Sequence, residues 1–147
     1  LPKEIKEEIR IDIYGGGPYR KQLEEKVLRS GLKHCFHFMG SSSHLKSIYC
    51  KYDYMLQPTH MECFSLSILE SLAANVPVIT TNVGGNEEAI TNNANGYIVK
   101  AKDILALKTI LTELYLGTKQ IELNTRLDVE KRFSLGKMVD NHFKLVQ

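Results

Sequence analysis

Residues 54–80 read YMLQPTHMECFSLSILESLAANVPVIT, and the fold turns on them. The first four residues suit a short strand that stops at Pro58, and residues 59–64 form a loop. From Ser65 the apolar side chains Leu66, Leu69, Leu72 and Ala73 recur at helical spacing with Ile68 beside them. Asn75 ends this helix in the role glycine usually fills, because asparagine tolerates the left-handed backbone conformation. Residues 76–80 are a nearly all-apolar strand, as expected of a strand covered on both faces. A strand, loop, helix and second strand in this order form the unit of a parallel α/β sheet.

The same alternation extends outward. Upstream, residues 11–14 read as a strand closed by Gly15-Gly16-Gly17-Pro18, followed by an amphipathic helix over 19–30 with Leu23, Val27 and Leu28 inward. Gly31 stops that helix, residues 35–39 form a second strand, and Ser41, Ser42 and Ser43 are N-cap candidates for a helix over 44–51. Downstream, Gly84-Gly85 turns the chain into a short helical segment around 87–90, and residues 96–99 are a fifth strand. The remainder reads as helix over 101–116, an ambiguous stretch to Phe133, and a helix over 134–146 capped by Ser134. Strands alternating with helices imply right-handed crossovers and an α/β, Rossmann-like, doubly wound parallel sheet in one domain over 1–147. Ligands bind such sheets beyond the carboxyl ends of the strands, here loops 15–18, 39–43, 59–65 and 83–86.

Composition narrows the class. The chain has 147 residues, 43% hydrophobic and 24% charged, the balance of a soluble globular domain with a proper core. Nineteen Lys and Arg stand against 17 Asp and Glu with signs interspersed, so no basic stripe points to nucleic acid. No apolar run approaches the roughly 20 residues of a membrane span, and the N-terminus has no signal-peptide core. An odd count of three cysteines (Cys35, Cys50, Cys63) and the lack of any Asn-x-Ser/Thr sequon point to a reducing, cytoplasmic setting. The opening without an initiator Met reads as a piece excised from a longer chain.

Several motifs can be weighed. The glycine run allows close backbone approach to a phosphate, but a dinucleotide fingerprint needs a glycine where Arg20 stands, and no Gly-Lys-Ser/Thr follows to make a P-loop. Glu62 and Glu70 carry more information. Between them the amides near Ser65 to Ser67 form a helix N-terminus, which favours an anion such as a diphosphate. The flanking carboxylates suit the vicinal hydroxyls of a ribose or hexose, although a capping acid plus a solvated helix glutamate would look the same. His34 with His37 and His60 with Cys63 lack the pattern of a zinc site, so no metal is expected, while His60 lies in the candidate loop. Tyr49, Tyr52 and Tyr54 are explained by packing. No Gly-x-Ser-x-Gly supports a hydrolase, and the strand ends lack the acidic residues of a response-regulator receiver.

The segment from Pro58 to Ile79 resembles the signature of family 4 glycosyltransferases of the GT-B fold, with its two glutamates, its small-residue helix end and its Pro-Val-Ile strand. Tyr14-Gly15-Gly16-Gly17-Pro18-Tyr19 resembles that family's Gly-x-Gly-Pro turn, Phe38-Met39-Gly40 its Phe-x-Gly element, and Val83-Gly84-Gly85-Asn86-Glu87-Glu88 its Gly-Gly-x-x-Glu loop. The resemblance implies the C-terminal, donor-binding half of a retaining enzyme that takes a sugar from a nucleotide diphosphate sugar, UDP-linked first and GDP- or ADP-linked as alternatives, without an essential metal or other cofactor. By position, Glu62 is the catalytic carboxylate facing the hexose and Glu70 meets the ribose. The amides of Leu66 and Ser67 hold the diphosphate, and the loop of Met39, Gly40 and Ser42 reads the base through backbone groups. Phe64, Ser65, Gly15 and Gly17 complete the donor-binding set.

Two departures stand out: Cys63 and Asn75 replace family glycines, and the bulkier Cys63 would narrow the sugar pocket. The family's diphosphate-gripping Arg and Lys lie on an earlier strand and loop, upstream of Leu1. The resemblance therefore implies a fragment that binds nucleotide without turnover, partnered by its own N-terminal acceptor domain, in which any peripheral membrane contact would reside. A noncatalytic GT-B-like scaffold and half of a nucleotide-sugar epimerase remain the alternatives.

Overall fold

A computed structural model describes residues 1–145. Helix α1 (Lys3–Glu8) precedes strand β1 (Ile11–Tyr14), helix α2 (Arg20–Arg29) and strand β2 (Phe36–Gly40). Helix α3 (Leu45–Ile48) continues as a 3-10 turn (Tyr49–Lys51) into strand β3 (Met55–Gln57), helix α4 (Leu66–Ala73) and strand β4 (Val78–Thr81). Helix α5 (Asn86–Ala89), strand β5 (Gly96–Val99) and helices α6 (Ile104–Tyr115), α7 (Thr125–Phe133) and α8 (Leu135–Leu145) complete the chain. The expected end of the last helix at Val146 lies outside the described residues.

Every strand pairing between these strands is parallel, and the α/β class is the one the alternation implies. The strands form two ladders rather than one continuous sheet: β1 pairs only with β2, and β3, β4 and β5 form a second sheet in that order. One edge of β1 and one edge of β3 therefore carry no strand partner among the described residues.

The three-stranded sheet holds the core. Side chains alternate across β4, so Val78 joins Ile68, Leu72, Ala89, Ile90 and Val129 on one face, whereas Ile79 joins Tyr97, Val99 and Ile110 on the other. Helices α4 and α7 cover the first face and α6 the second, and all four residues of β4 are buried. Burying a Val or Ile of this kind contributes about 1.5–3 kcal/mol.

Local signals place the ends of α4 as the sequence implies. Ser65 caps it by accepting the Ile68 N–H, and Asn75 ends it at φ +62°. Asn75 then accepts the Thr125 N–H through Oδ1 at 3.0 Å, which pins α7 against α4.

Two expectations need correcting. Leu23 and Leu28 of α2 are exposed rather than inward, and no residue of this helix is buried, because the two-stranded sheet offers it only a thin floor. An open cavity of about 190 Å³ lies there, lined by Leu23, Phe38, Ile13 and the glycine turn. The helix expected over 44–51 tightens after Ile48 into a 3-10 turn. Helix α1, unforeseen in the charged opening, is anchored by the single buried side chain Ile5. All three cysteines are free, with Cys35 buried and Cys50 and Cys63 exposed. No described helix is long and apolar enough to cross a membrane.

Candidate functional site

The loops at the carboxyl ends of β3 and β4 are locked together by close backbone approach. Gly85 N–H donates to Cys63 O at 2.6 Å. A Cβ on Gly84 would fall 1.7 Å from Glu62 O, and one on Gly85 would fall 2.7 Å from both Cys63 O and Phe64 Cδ2. Only glycine fits at either position, and Gly84 additionally adopts φ +53°. Thr81 Oγ1 donates to Thr59 O at 2.6 Å, and Thr80 Oγ1 donates to Gln57 O at 2.9 Å, so the two strand ends are also joined through side chains.

Glu62 sits in this clamp. Its Oε1 accepts the N–H of Cys63 at 3.1 Å, and its Oε2 accepts from Gln57 Nε2 at 3.3 Å. Three residues on, Ser65 is buried, and its hydroxyl donates to Gln57 Oε1 at 3.0 Å while capping α4. The Phe64 ring turns toward the core and packs, tilted by 50°, at 5.9 Å from the Phe133 ring. The N–H groups of Leu66 and Ser67, at the first two positions of α4, have no hydrogen-bond partner among the described residues.

Glu70 lies one turn beyond Ser67 on the same side of α4. Tyr49 lies near this pair: burial, followed by the nearby Glu70 carboxylate, pushes its pKa up. A tyrosine in a 3-10 turn, with α4 still to come, carries no sequence signal of that proximity.

The second group of expected residues clusters at the ends of β1 and β2. Gly15 N–H donates to Gly40 O at 2.8 Å, and Gly16 lies against Ser41 Oγ. Gly15 and Gly17 adopt φ +122° and +138°, which only glycine reaches freely. Met39 is exposed, and Ser42 Oγ accepts the N–H of His44 at 3.1 Å, so that hydroxyl starts the turn into α3. Arg20 braces this corner by donating to Phe38 O at 3.1 Å. His60 is exposed in its loop.

Between the two groups runs a polar tie. Tyr52 OH donates to Asp12 at 2.6 Å and, its own proton committed there, accepts from Tyr14 OH at 2.9 Å. Arg10 binds the same carboxylate at 2.9 Å and holds the Asp12 carboxyl below its ordinary range. Desolvation, then the bond to Asp12, pushes the Tyr52 phenol far up. Among the described residues no three His, Cys, Asp or Glu side chains are grouped to hold a metal ion.

The family model described as "Glycosyl transferases group 1" matches residues 1–132. The chain belongs to this family. Over 155 aligned residues and 99% of its length, this group 1 domain is 28% identical to the 2-deoxystreptamine N-acetyl-D-glucosaminyltransferase of Niallia circulans, covering 39% of that protein. It is 33% identical over 63% of its length to the GtfA subunit of a UDP-N-acetylglucosamine–peptide N-acetylglucosaminyltransferase from Streptococcus agalactiae, covering 18% of it. Among solved structures, the Anabaena protein HepE in complex with UDP superposes with a TM-score of 0.84 at 20% identity, over 94% of this chain and 40% of that one. The apo lipopolysaccharide outer core galactosyltransferase WaaB gives 0.86 at 16% identity, over 93% and 40%. These likenesses show the Rossmann-like fold of GT-B C-terminal domains. The chain thus spans well under half the length of each of these four relatives.

Proposed function

We propose that this group 1 domain binds the donor of a retaining, family 4 GT-B glycosyltransferase, with a nucleotide diphosphate sugar as substrate and the acceptor held by a separate N-terminal domain. One observation carries the reading: the unpartnered amides of Leu66 and Ser67 open a helix that has Glu62 in the loop before it and Glu70 on its second turn. In this reading the amides take the diphosphate, Glu70 the ribose hydroxyls, and Glu62 the hexose, while the turn at Met39, Gly40 and Ser42 lies at the base. A helix N-terminus meets a diphosphate with oriented dipoles, and the charge that grows on the departing diphosphate is stabilised most in the transition state. The diphosphate is thus held by amides and by Arg and Lys from an upstream strand, with no metal required. In the doubly wound strand order, that strand would lie between the open edges of β1 and β3. UDP is the first choice of nucleotide, supported by the UDP complex of HepE and by that of the pneumococcal O-GlcNAc transferase GtfA with UDP and GlcNAc. Family membership favours transfer over the scaffold and epimerase alternatives.

The test is calorimetry on the complete enzyme with UDP, GDP and ADP. Loss of hydrogen bonds to a charged group costs about 1.5–3 kcal/mol, so Glu70→Ala should weaken nucleotide binding by about 10- to 150-fold. Unchanged affinity for the preferred nucleotide refutes the assignment.

A further inference from the structure

Gln57, the last residue of β3, joins the two halves of the site. Its carboxamide has a fixed polarity. The Glu62 carboxylate only accepts, so the Nε2 amine must face it at 3.3 Å. The Ser65 hydroxyl accepts the Ile68 N–H and therefore gives its own proton to Gln57 Oε1 at 3.0 Å. The second Glu62 oxygen is held by the Cys63 amide at 3.1 Å, so both are fixed in place. The residue's backbone is anchored as well: Gln57 O accepts from Thr80 Oγ1, which in turn accepts from buried Asn86 Nδ2 at 3.0 Å.

We infer that Gln57 is a positioning residue, which sets the Glu62 carboxylate at a fixed place relative to the N-terminus of α4. The inference rests on the proposed roles of Glu62 and the α4 amides. Its consequence is that the acid facing the sugar and the amides facing the diphosphate move as one body. A neutral amide does this without adding charge beside the carboxylate, which neither an acid nor a base at this position could do. An apolar residue of similar length would fill the space and leave Glu62 tethered only to its neighbouring amide.

The test uses the complete enzyme with UDP-glucose, UDP-N-acetylglucosamine and GDP-mannose as donor probes, following nucleotide release, with UDP and GDP calorimetry and thermal melting alongside. Loss of a positioning contact to a reacting group costs about 10- to 100-fold. Gln57→Leu should lower kcat by that factor, leaving nucleotide affinity within about twofold and the melting temperature within a few degrees. Gln57→Glu keeps an acceptor for Ser65 but sets a second carboxylate against Glu62. It should move the acid limb of the kcat profile to higher pH, because like charges favour the protonated form. Wild-type kcat and pH profile in both variants overturn the inference. So does a Gln57→Leu enzyme that loses nucleotide affinity and melting temperature together, which marks a purely structural role. Failure of the wild-type enzyme to bind or turn over any donor instead overturns the proposed function, and the inference with it.

Discussion

Gly84→Ala tests the clamp beneath the site most directly. The new Cβ would start 1.7 Å from Glu62 O, where real contacts lie beyond 3.0 Å, so the Glu62 backbone must retreat by more than an ångström. An L-residue at φ +53° adds strain of about 1–2 kcal/mol. Displacing a packed backbone adds about 1–3 kcal/mol. Gly117→Ala is the matched control: its φ is +68° but nothing lies within 4 Å, so it carries the strain without the clash. Gly84→Ala should therefore be less stable than the control by about 2 kcal/mol in urea titration, roughly 6 °C in melting temperature for a domain of this size. A shift of about 1 Å in a reacting group costs about 100-fold in rate, so turnover should fall by that order in Gly84→Ala and stay near wild type in Gly117→Ala. Equal stability of the two variants would show that the loops are not locked as described, and the placement of Glu62 would lose its basis.

The polar tie predicts a pH dependence. Arg10 holds Asp12 below its unfolded value, so the stabilisation is fully present above about pH 4 and disappears as pH falls through the lowered value. Acid titration of stability should be shallower in Asp12→Asn than in wild type. Tyr52→Phe removes the 2.6 Å bond to Asp12 and should cost about 1.5 kcal/mol in urea unfolding at neutral pH. Thr125→Val removes a buried hydroxyl that donates to Leu72 O at 2.9 Å and should cost about 1 kcal/mol, read as an earlier urea midpoint at unchanged slope. In the folded protein, a thiol reagent should modify Cys50 and Cys63 quickly and Cys35 only on unfolding, and bound UDP should slow Cys63 alone, as peptide mapping would show.

What the sequence reveals of this molecule follows from the range of the interactions involved. The Ser65 cap and the left-handed Asn75 are local consequences of residue type and lie where the pattern puts them, and the buried strand β4 follows from the apolar run but starts at Val78 and ends at Thr81 rather than spanning 76–80. Periodicity marks an apolar face on α2 but does not say what covers it, and Leu23 and Leu28 are in fact exposed. Gln57 and Tyr49 escape a sequence reading for another reason. A glutamine at a strand end and a tyrosine in a 3-10 turn carry no spacing signal, and each gains meaning only when Glu62, Ser65 or Glu70 is folded against it.

The contrast between β1 and β4 links the sheet to the site. Both are four-residue parallel strands, yet β4, with a neighbour on each edge, is wholly buried, while β1, paired on one edge only, is half-buried throughout. A doubly wound sheet of order 3-2-1-4-5-6 would place one further strand between β1 and β3. Under the proposed function, that strand and the loop after it also carry the Arg and Lys that grip the diphosphate. The same upstream segment would then close the sheet and complete the anion site, burying Ile11 and Ile13 as it delivers positive charge to the amides of Leu66 and Ser67. Donor binding and sheet stability should therefore rise together in a chain that includes it, because the parallel ladder that orders the segment also aims its cations.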